Sequence, residues 1–381
     1  MILKTEIEKS AQTVPIHIRP GELLLLSEVC LTHYPPKTKL LIVTDAIVKE
    51  LWGQALSESL KQAGYLVYTY TIPVGESAKC LSVMESVLRF ALEAGLSRQD
   101  AMIAFGGGVV GDLTGFCAAT YFRGIDYIQV PTTLLAQVDS AIGGKVGVNL
   151  HHAKNGLGAF YQPRFIWMDP TLVKHLPCRQ LRAGLAEVIK YSLIETSIQE
   201  ACGSPESLSH TPPLFTVLQK IVVKEEAVEK DCLDTELCEL ISRCVALKTA
   251  VVSLDEQEKT GLRALLNLGH TFAHAYEELS GYQDLLHGEA VSLGLVKAAQ
   301  LASILGHFSS SHVETIIAML EKFQLPTVPS PSLEPLKLIA LMRQDKKATG
   351  NGIRFVLPDS DIGRVRIVDG VDEHQILNIL S

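Results

Sequence analysis

Short apolar runs alternate with longer helical periods through the first 177 residues of the chain, and then the runs nearly stop. VPIHI at 14–18 alternates as an edge strand does. KLLIVTDA at 39–46, YLVYTYTI at 65–72, DAMIAF at 100–105, DYIQV at 126–130 and FIWMD at 165–169 have the length and residue types of strands. Helical stretches fall between them: 46–63, closed by Gly64; roughly 80–94; and a stretch from GGGVVGD to Ala119. Strands alternating with helices predict an α/β domain on a parallel, Rossmann-like sheet. Beyond Pro177, residues 179–325 carry helical periods broken at Gly203–Pro213, Gly281 and Gly306. Pro326–Pro335 reads as a turn-rich linker, and GIRFVLP at 352–358 as a returning strand. The expected architecture is an α/β domain over 1–177 and a mainly α-helical domain over 178–381, with a ligand cleft between them.

One polar stripe interrupts the apolar helical half. Read as a single helix, Arg263, Asn267, His270 and His274 fall at i, i+4, i+7 and i+11. They share a narrow sector of one face among Ala264, Leu265, Leu266, Leu268, Phe272 and Ala273. A solvent-facing stripe would be Lys and Glu; Arg, Asn and two His among core residues look into a cleft. His287, in LLHGEA, follows beyond a loop. Any one of these histidines alone reads best as a hydrogen-bonded core residue, but the three together point to a metal site.

Composition narrows the function classes. The 381 residues are 47% hydrophobic and 20% charged, which supports a sizeable core and argues against disorder. A net charge of −8 gives no sign of general nucleic-acid binding. MILKTEIEKS has no apolar signal core, and no run long enough to span a membrane occurs. The eight cysteines form no CxxC pair, and Cys232, Cys238 and Cys244 do not repeat on one helix face. A reduced, cytoplasmic protein is expected.

Other segments carry candidate chemistry. In GGGVVGD, 106–112, Gly106, Gly108 and Gly111 satisfy G-x-G-x-x-G between a strand and a helix, the pattern that brings backbone N–H groups to a pyrophosphate. It follows the third strong strand rather than the first, so it is not an ordinary dinucleotide fingerprint. Asp45, at the end of a strand, is either a ribose partner that favours NAD over NADP or a helix N-cap. PTTLLAQVDSAIGGK, 131–145, sets Thr132 and Thr133 at a strand end with Asp139 and Lys145 beyond. Lys154 and Asn155 follow, and on loops at sheet ends they would suit phosphate or carboxylate. Glu187 and Lys190 sit at i, i+3 on an otherwise apolar helix. Glu187, His270 and His287 would make a catalytic metal set with open positions. By spacing alone His270, His274 and Glu289 compete for the same ion. Lys145, Lys190, Lys248, Arg263, Lys346 and Lys347 point to a small substrate with two anionic groups.

With these segments assembled, the chain resembles the 3-dehydroquinate synthase family. The resemblance is carried by TD at 44–45, GESAK at 75–79, GGGVVGDLTGF at 106–116, ATYFRG at 119–124 and VPTTLLAQVDSAIGGK at 130–145. It continues through KNGLGAFYQP at 154–163, AGLAEVIKY at 183–191, LRALLNLGHTFAHAYE at 262–277, LLHGEAV at 285–291 and DKK at 345–347. It implies a dehydroquinate synthase-like fold with NAD in the N-terminal domain and zinc or cobalt in the helical one. It gives Glu187, His270 and His287 to the metal, and turns His274 toward substrate. It places Asp45, Glu76, Lys79, Gly107, Gly108, Asp112, Thr132 and Thr133 at the cofactor. Arg123, Asp139, Lys145, Lys154, Asn155, Lys248, Arg263, Asn267, Lys346 and Lys347 fall at substrate positions, and His274, Glu258 and Lys190 at catalytic ones. Arg123 matches an arginine that reaches the neighbouring subunit's site, so a homodimer is implied.

The implied reaction converts 3-deoxy-D-arabino-heptulosonate 7-phosphate to 3-dehydroquinate and phosphate in the shikimate pathway of aromatic amino acid biosynthesis. Two departures bear on it: DEQEKTGLR at 255–263 is one residue longer than the family's DE-x-E-x-G-x-R, which touches Glu258, and GL follows KN at 156–157. The alternatives are a related sugar-phosphate cyclase such as 2-deoxy-scyllo-inosose synthase and, more distantly, a polyol dehydrogenase of the glycerol dehydrogenase type.

Overall fold

The computed structural model describes residues 13–151, 153–204, 211–221, 234–281, 284–329, 334–344 and 353–380. Six parallel strands form the main sheet: β1 (Ile16–Ile18), β2 (Lys39–Asp45), β3 (Leu66–Ile72), β4 (Ala101–Gly106), β5 (Asp126–Pro131) and β8 (Ile166–Met168), in the order β1-β8-β5-β4-β2-β3. The expected edge strand at 14–18 is at the edge. Strands β2 and β4 are buried on both faces, which is why they read as unbroken apolar runs. Their residues alternate between two cores. Leu41, Val43, Met102 and Ala104 pack with α4 (Leu81–Glu93) and α5 (Gly108–Thr120), while Leu40, Ile42, Ile103 and Phe105 pack with α1 (Leu26–His33) and α3 (Gln54–Gln62). The expected helix at 46–63 is present but not uniform: α2 (Ala46–Val48) passes through a π-turn at Lys49–Gly53 before α3.

The order of strands puts a topological switch between β2 and β4. The chain leaves β2 outward to β3 and returns to the other side for β4, so the carboxyl ends of β2 and β4 flank an open crevice. Asp45 ends one of these strands and Gly106 the other.

Two readings of the sequence change here. Lys145, Lys154 and Asn155 are not on loops: they belong to an antiparallel hairpin of β6 (Lys145–Leu150) and β7 (Ala153–Phe160). Its strands are glycine-rich because they lie close together; a Cβ on Gly147 would come within 2.4 Å of the Leu157 carbonyl oxygen. Strand β7 is mostly solvated, so it lacked an apolar signature. The hairpin packs on α5, where a Cβ on Gly115 would reach 2.4 Å from Val146.

Most of the remaining described residues are helical: α6 (Cys178–Cys202), α7 (Leu214–Lys220), α8 (Asp234–Leu254), α9 (His270–Leu279), α10 (His287–Ile304), α11 (Ser310–Lys322), α12 (Pro335–Gln344) and α13 (Glu373–Leu380). The expected strand near 352–358 is β9 (Phe355–Asp359), paired with an unanticipated β10 (Asp361–Val368) that packs on α6. Among the described residues no helix is long and apolar enough to cross a membrane.

The second correction concerns the polar stripe, which is not one helix. Leu262–Asn267 form a 3-10 segment, Leu268 and Gly269 break it, and α9 starts afresh at His270. Gly269 adopts φ +76, a conformation that side chains disfavour. It is also pressed on α10: a Cβ on Gly294 would meet the Gly269 carbonyl oxygen at 2.2 Å. Helix propensity alone would favour Gly294→Ala by roughly 1 kcal/mol. The new methyl would meet backbone that cannot rotate away, so the net effect should be destabilisation by about 1–3 kcal/mol, as for other overpacked cores. Chemical denaturation of G294A against wild type measures it; equal or greater stability would mean that α9 and α10 separate easily.

Candidate active site

A cavity of about 860 Å³ opens at the switch point. Asp45, Glu76, Lys79, Gly107, Gly108, Asp112, Thr132 and Thr133 all line it, which brings the whole expected cofactor set together. Asp45 is at the same time the cap of α2: its Oδ1 accepts from the amides of Ile47 and Val48, both at 2.9 Å. The two readings of Asp45 are therefore compatible. Gly107 and Gly108 leave room at the start of α5, since a Cβ there would come 3.1 Å from Thr133 and 3.0 Å from Ser140. Gly111 serves packing, because a Cβ would strike the Gln129 amide at 2.3 Å. Lys79 is buried and bonded to Asp112 and Asn155. Burial pushes the Asp112 carboxyl above its usual range, opposed by the Lys79 ammonium. Glu76 accepts from Asn149 at 2.8 Å. A roomy cradle at a helix N-terminus, lined by small and polar residues, fits a dinucleotide.

Beyond the far wall of the cavity, α6, α9 and α10 converge on Glu187. Its side chain is fully buried. His270 Nε2 stands 3.6 Å and His287 Nε2 3.4 Å from the same carboxylate oxygen, and Lys190 is ion-paired to the other. Yet neither Glu187 oxygen has a well-directed hydrogen bond. The imidazoles are oriented from behind. His270 Nδ1 lies 3.1 Å from the Leu268 carbonyl and His287 Nδ1 3.1 Å from Glu277 Oε1. With protons on Nδ1, both rings present an Nε2 lone pair to a carboxylate oxygen, a repulsive arrangement that a cation between them resolves.

The charges answer the same constraint with a proton. Burial, helped by Lys190, lowers His270 to about 3. Burial opposes charge on His287, but its contacts with Glu187 and Glu277 raise it to about 9. Burial also opposes charge on Glu187, but Lys190 foremost holds it at about 2. The cluster thus carries an anionic carboxylate, one neutral imidazole and one proton that a divalent ion would displace. Donor atoms of Glu187, His270 and His287 all lie within 4.8 Å of one another, the composition of a three-ligand catalytic metal site.

This geometry separates the competing candidates. His274 lines the cavity with its ring 5.6 Å from that of His270, outside the three-residue cluster. Glu289 is committed elsewhere, bonded to Arg179 and to the Leu286 amide. Next to the cluster, Asp139 receives Lys248 at 2.7 Å and the Tyr191 hydroxyl at 3.0 Å. Burial opposes its charge, but Lys248 and Lys190 hold the carboxyl well below the usual range. Arg263 is buried and donates to the carbonyls of Gly143 and Glu256, while its Nε lies 3.7 Å from Glu258. Glu258 also pairs with Lys145 and holds a left-handed φ of +58. Lys154 pairs with Glu277 at 2.7 Å. Each of Lys145, Lys154, Lys190 and Lys248 is thereby paired with a carboxylate.

Some expected residues stand apart. Arg123 is exposed in a strained turn, with φ +48 at Phe122, +71 at Arg123 and +122 at Gly124, and it does not line the cavity. Asn267 is exposed at the end of the 3-10 segment. Lys346 and Lys347 lie outside the described residues. Glu277 and Tyr191 escaped the sequence reading. Glu277 follows His274 by three positions, the next step of the same stripe, and Tyr191 adjoins Lys190; both signals were available.

Residues 69–183 match the family described as 3-dehydroquinate synthase N-terminal, and residues 184–348 match 3-dehydroquinate synthase C-terminal. The chain is similar to the 3-dehydroquinate synthase of Desulforamulus reducens, with 42% identity over 376 residues and 99% of each chain covered. Among solved structures it is similar to a 2-epi-5-epi-valiolone synthase from Streptomyces hygroscopicus with NAD+ and Zn2+ bound, with a TM-score of 0.85 at 26% identity over 99% and 98% of the two chains. It also resembles a 2-deoxy-scyllo-inosose synthase complexed with carbaglucose-6-phosphate, NAD+ and Co2+, with a TM-score of 0.79 at 25% identity over 96% and 95%.

Metal content discriminates the two histidines of HTFAH. Wild-type protein should hold about one divalent ion per chain, as a three-ligand site does. His270→Ala should lose it. His274→Ala should keep it and remain folded, while turnover falls roughly 10²–10⁴-fold if His274 positions a proton. Loss of metal from H274A as complete as from H270A would transfer His274 to the coordination sphere.

Proposed function

The chain belongs to the 3-dehydroquinate synthase family, and from that premise we propose that it converts 3-deoxy-D-arabino-heptulosonate 7-phosphate into 3-dehydroquinate and phosphate. The observation that carries the reading is the pair of imidazoles turned onto one buried carboxylate, beside a cavity at the sheet's switch point. When bound, NAD+ would take the hydride from carbon C5 and later return it there, and zinc or cobalt would polarise the C5 hydroxyl, whose proton is lost as the ketone forms.

The chain's own residues have these roles. Asp45, Glu76, Lys79, Gly107, Gly108, Asp112, Thr132 and Thr133 hold the cofactor. Glu187, His270 and His287 hold the ion. His274, on the cavity wall one turn from His270, holds or moves a proton at the substrate. Lys190 and Lys248, anchored by Glu187 and Asp139, keep positive charge beside the reacting hydroxyls. Lys145, Lys154, Asn155, Arg263, Asn267, Lys346 and Lys347 receive carboxylate and phosphate, with Glu258 holding Lys145 and Arg263 ready for them. Such fixing of both ends supplies orientation, the main service a protein gives a multistep reaction of one substrate. The proposal extends to a division into domains at 177/178, to a cytoplasmic homodimer and to Arg123 reaching the neighbouring protomer's site. The strained turn that holds Arg123 outward supports that last role.

A second cyclase activity, on glucose 6-phosphate as a 2-deoxy-scyllo-inosose synthase would show, has the structural neighbour in its favour. The higher identity over the whole chain favours the heptulosonate. Phosphate release from each substrate with NAD+ and zinc or cobalt decides between them. The heptulosonate should release phosphate without NADH accumulating; release from glucose 6-phosphate alone, or stoichiometric NADH, would overturn the reading.

Cofactor choice tests Asp45 separately. Its charge should repel a 2′-phosphate, so NAD should far outperform NADP. Asp45→Ser keeps a side chain able to cap α2 and removes the charge. It should therefore fold normally and narrow the gap by about tenfold or more, as a change of 1.4 kcal/mol would. An unchanged NAD/NADP ratio in D45S would confine Asp45 to its capping role.

A further inference from the structure

His287 is the first residue of α10, so no preceding helical turn fixes its direction. Glu277 on α9 holds the ring at Nδ1, and α6 holds the segment that carries it at three positions four residues apart along that helix: Arg179, Ala183 and Glu187. Glu187 faces the imidazole. One turn back, the Ala183 carbonyl seats Gly288 so closely that a Cβ on Gly288 would lie 1.8 Å from its oxygen. A further turn back, Arg179 holds both ends of the segment bearing His287. Its Nε and NH2 donate to the two oxygens of Glu289 at 2.7 and 2.8 Å, and NH2 also donates to the Asp284 carbonyl at 2.7 Å. Glu289 in turn accepts from the Leu286 amide at 2.9 Å, closing the segment on itself before α10 begins.

We propose that Arg179 and Glu289 are positioning residues for the metal ligand His287. The forked contact fixes direction as well as distance, which a single charge contact would not. The Arg179 guanidinium is 58% exposed and so keeps much of its contact with water, which limits what the pair adds to global stability; the clamp's effect lies in where it holds His287 rather than in the fold. Neither residue lines the cavity or touches the other two ligands. The inference rests on the reading that Glu187, His270 and His287 hold a divalent ion.

Cobalt serves as the probe, because its visible spectrum reports coordination geometry without substrate or turnover. Apo R179A and E289Q should melt close to wild type. Their cobalt dissociation constants should rise roughly 10–100-fold, the usual effect of losing a residue that orients a metal ligand. The visible band of the cobalt-loaded variants should change in intensity or position. R179K should fall between R179A and wild type, because an ammonium cannot make the forked contact. If R179A does not fold, E289Q and R179K carry the same readings. Wild-type affinity and spectrum in these variants would overturn the clamp while leaving the metal site standing. A wild-type protein that binds no cobalt would overturn the metal reading itself, and the clamp with it.

Discussion

A carboxylate with no access to water must be matched by charge, and the helical half of this protein is arranged around one such group. Glu187 lies mid-way along α6 with its side chain fully buried. An isolated ion in that place would be prohibitively unfavourable. Lys190 matches it from the same helix, and α9 and α10 both begin beside it, each with a histidine as its first residue. Helix N-termini carry partial positive charge, which favours the carboxylate. Two helices can start within reach of one side chain only where backbones nearly touch. The glycines at 269, 288 and 294 stand at those crossings.

The crevice at the sheet's switch point and the Glu187 cluster are joined by the hairpin that the sequence concealed. Neighbouring residues on a strand point to opposite faces. On β7, Lys154 reaches Glu277, which orients His287, while Asn155 reaches Lys79 on the wall of the cavity at the switch point. Asn155 takes a left-handed φ of +53, and its amide donates to Asn149. Consecutive residues of one solvated strand therefore touch both halves of the site.

What the sequence disclosed follows from how each element is buried. Strands β2 and β4 are covered on both faces and were plain as apolar runs; β7 alternates exposed with half-buried positions, and its glycines exist for cross-strand contact, so it passed for loop. The stripe of Arg263, Asn267, His270 and His274 pointed to the right part of the chain through the wrong geometry. Because Gly269 turns the chain between the 3-10 segment and α9, the four residues part company: His274 lines the cavity, His270 joins Glu187 and His287, Arg263 is buried against the Gly143 and Glu256 carbonyls, and Asn267 is exposed. Spacing could not choose among His270, His274 and Glu289. That choice depends on Arg179, more than a hundred residues distant, which takes Glu289 out of contention. The approach of α6 to α10 is a tertiary fact with no local trace.

The pairing of lysines with carboxylates gives the site a second property. Lys190 with Glu187, Lys248 with Asp139 and Lys154 with Glu277 each join a cation to an acid largely withdrawn from solvent. Removing one member of such a buried pair leaves the other uncompensated, at a penalty of about 3–5 kcal/mol. These residues therefore hold the site together as well as serve it. A dianionic ligand entering among them would compete with carboxylates already in place, and a divalent cation at Glu187 would relieve that competition by taking up the acid that Lys190 otherwise balances. Cation and anion would then be bound more favourably together than either alone, and by linkage each would raise the affinity of the site for the other.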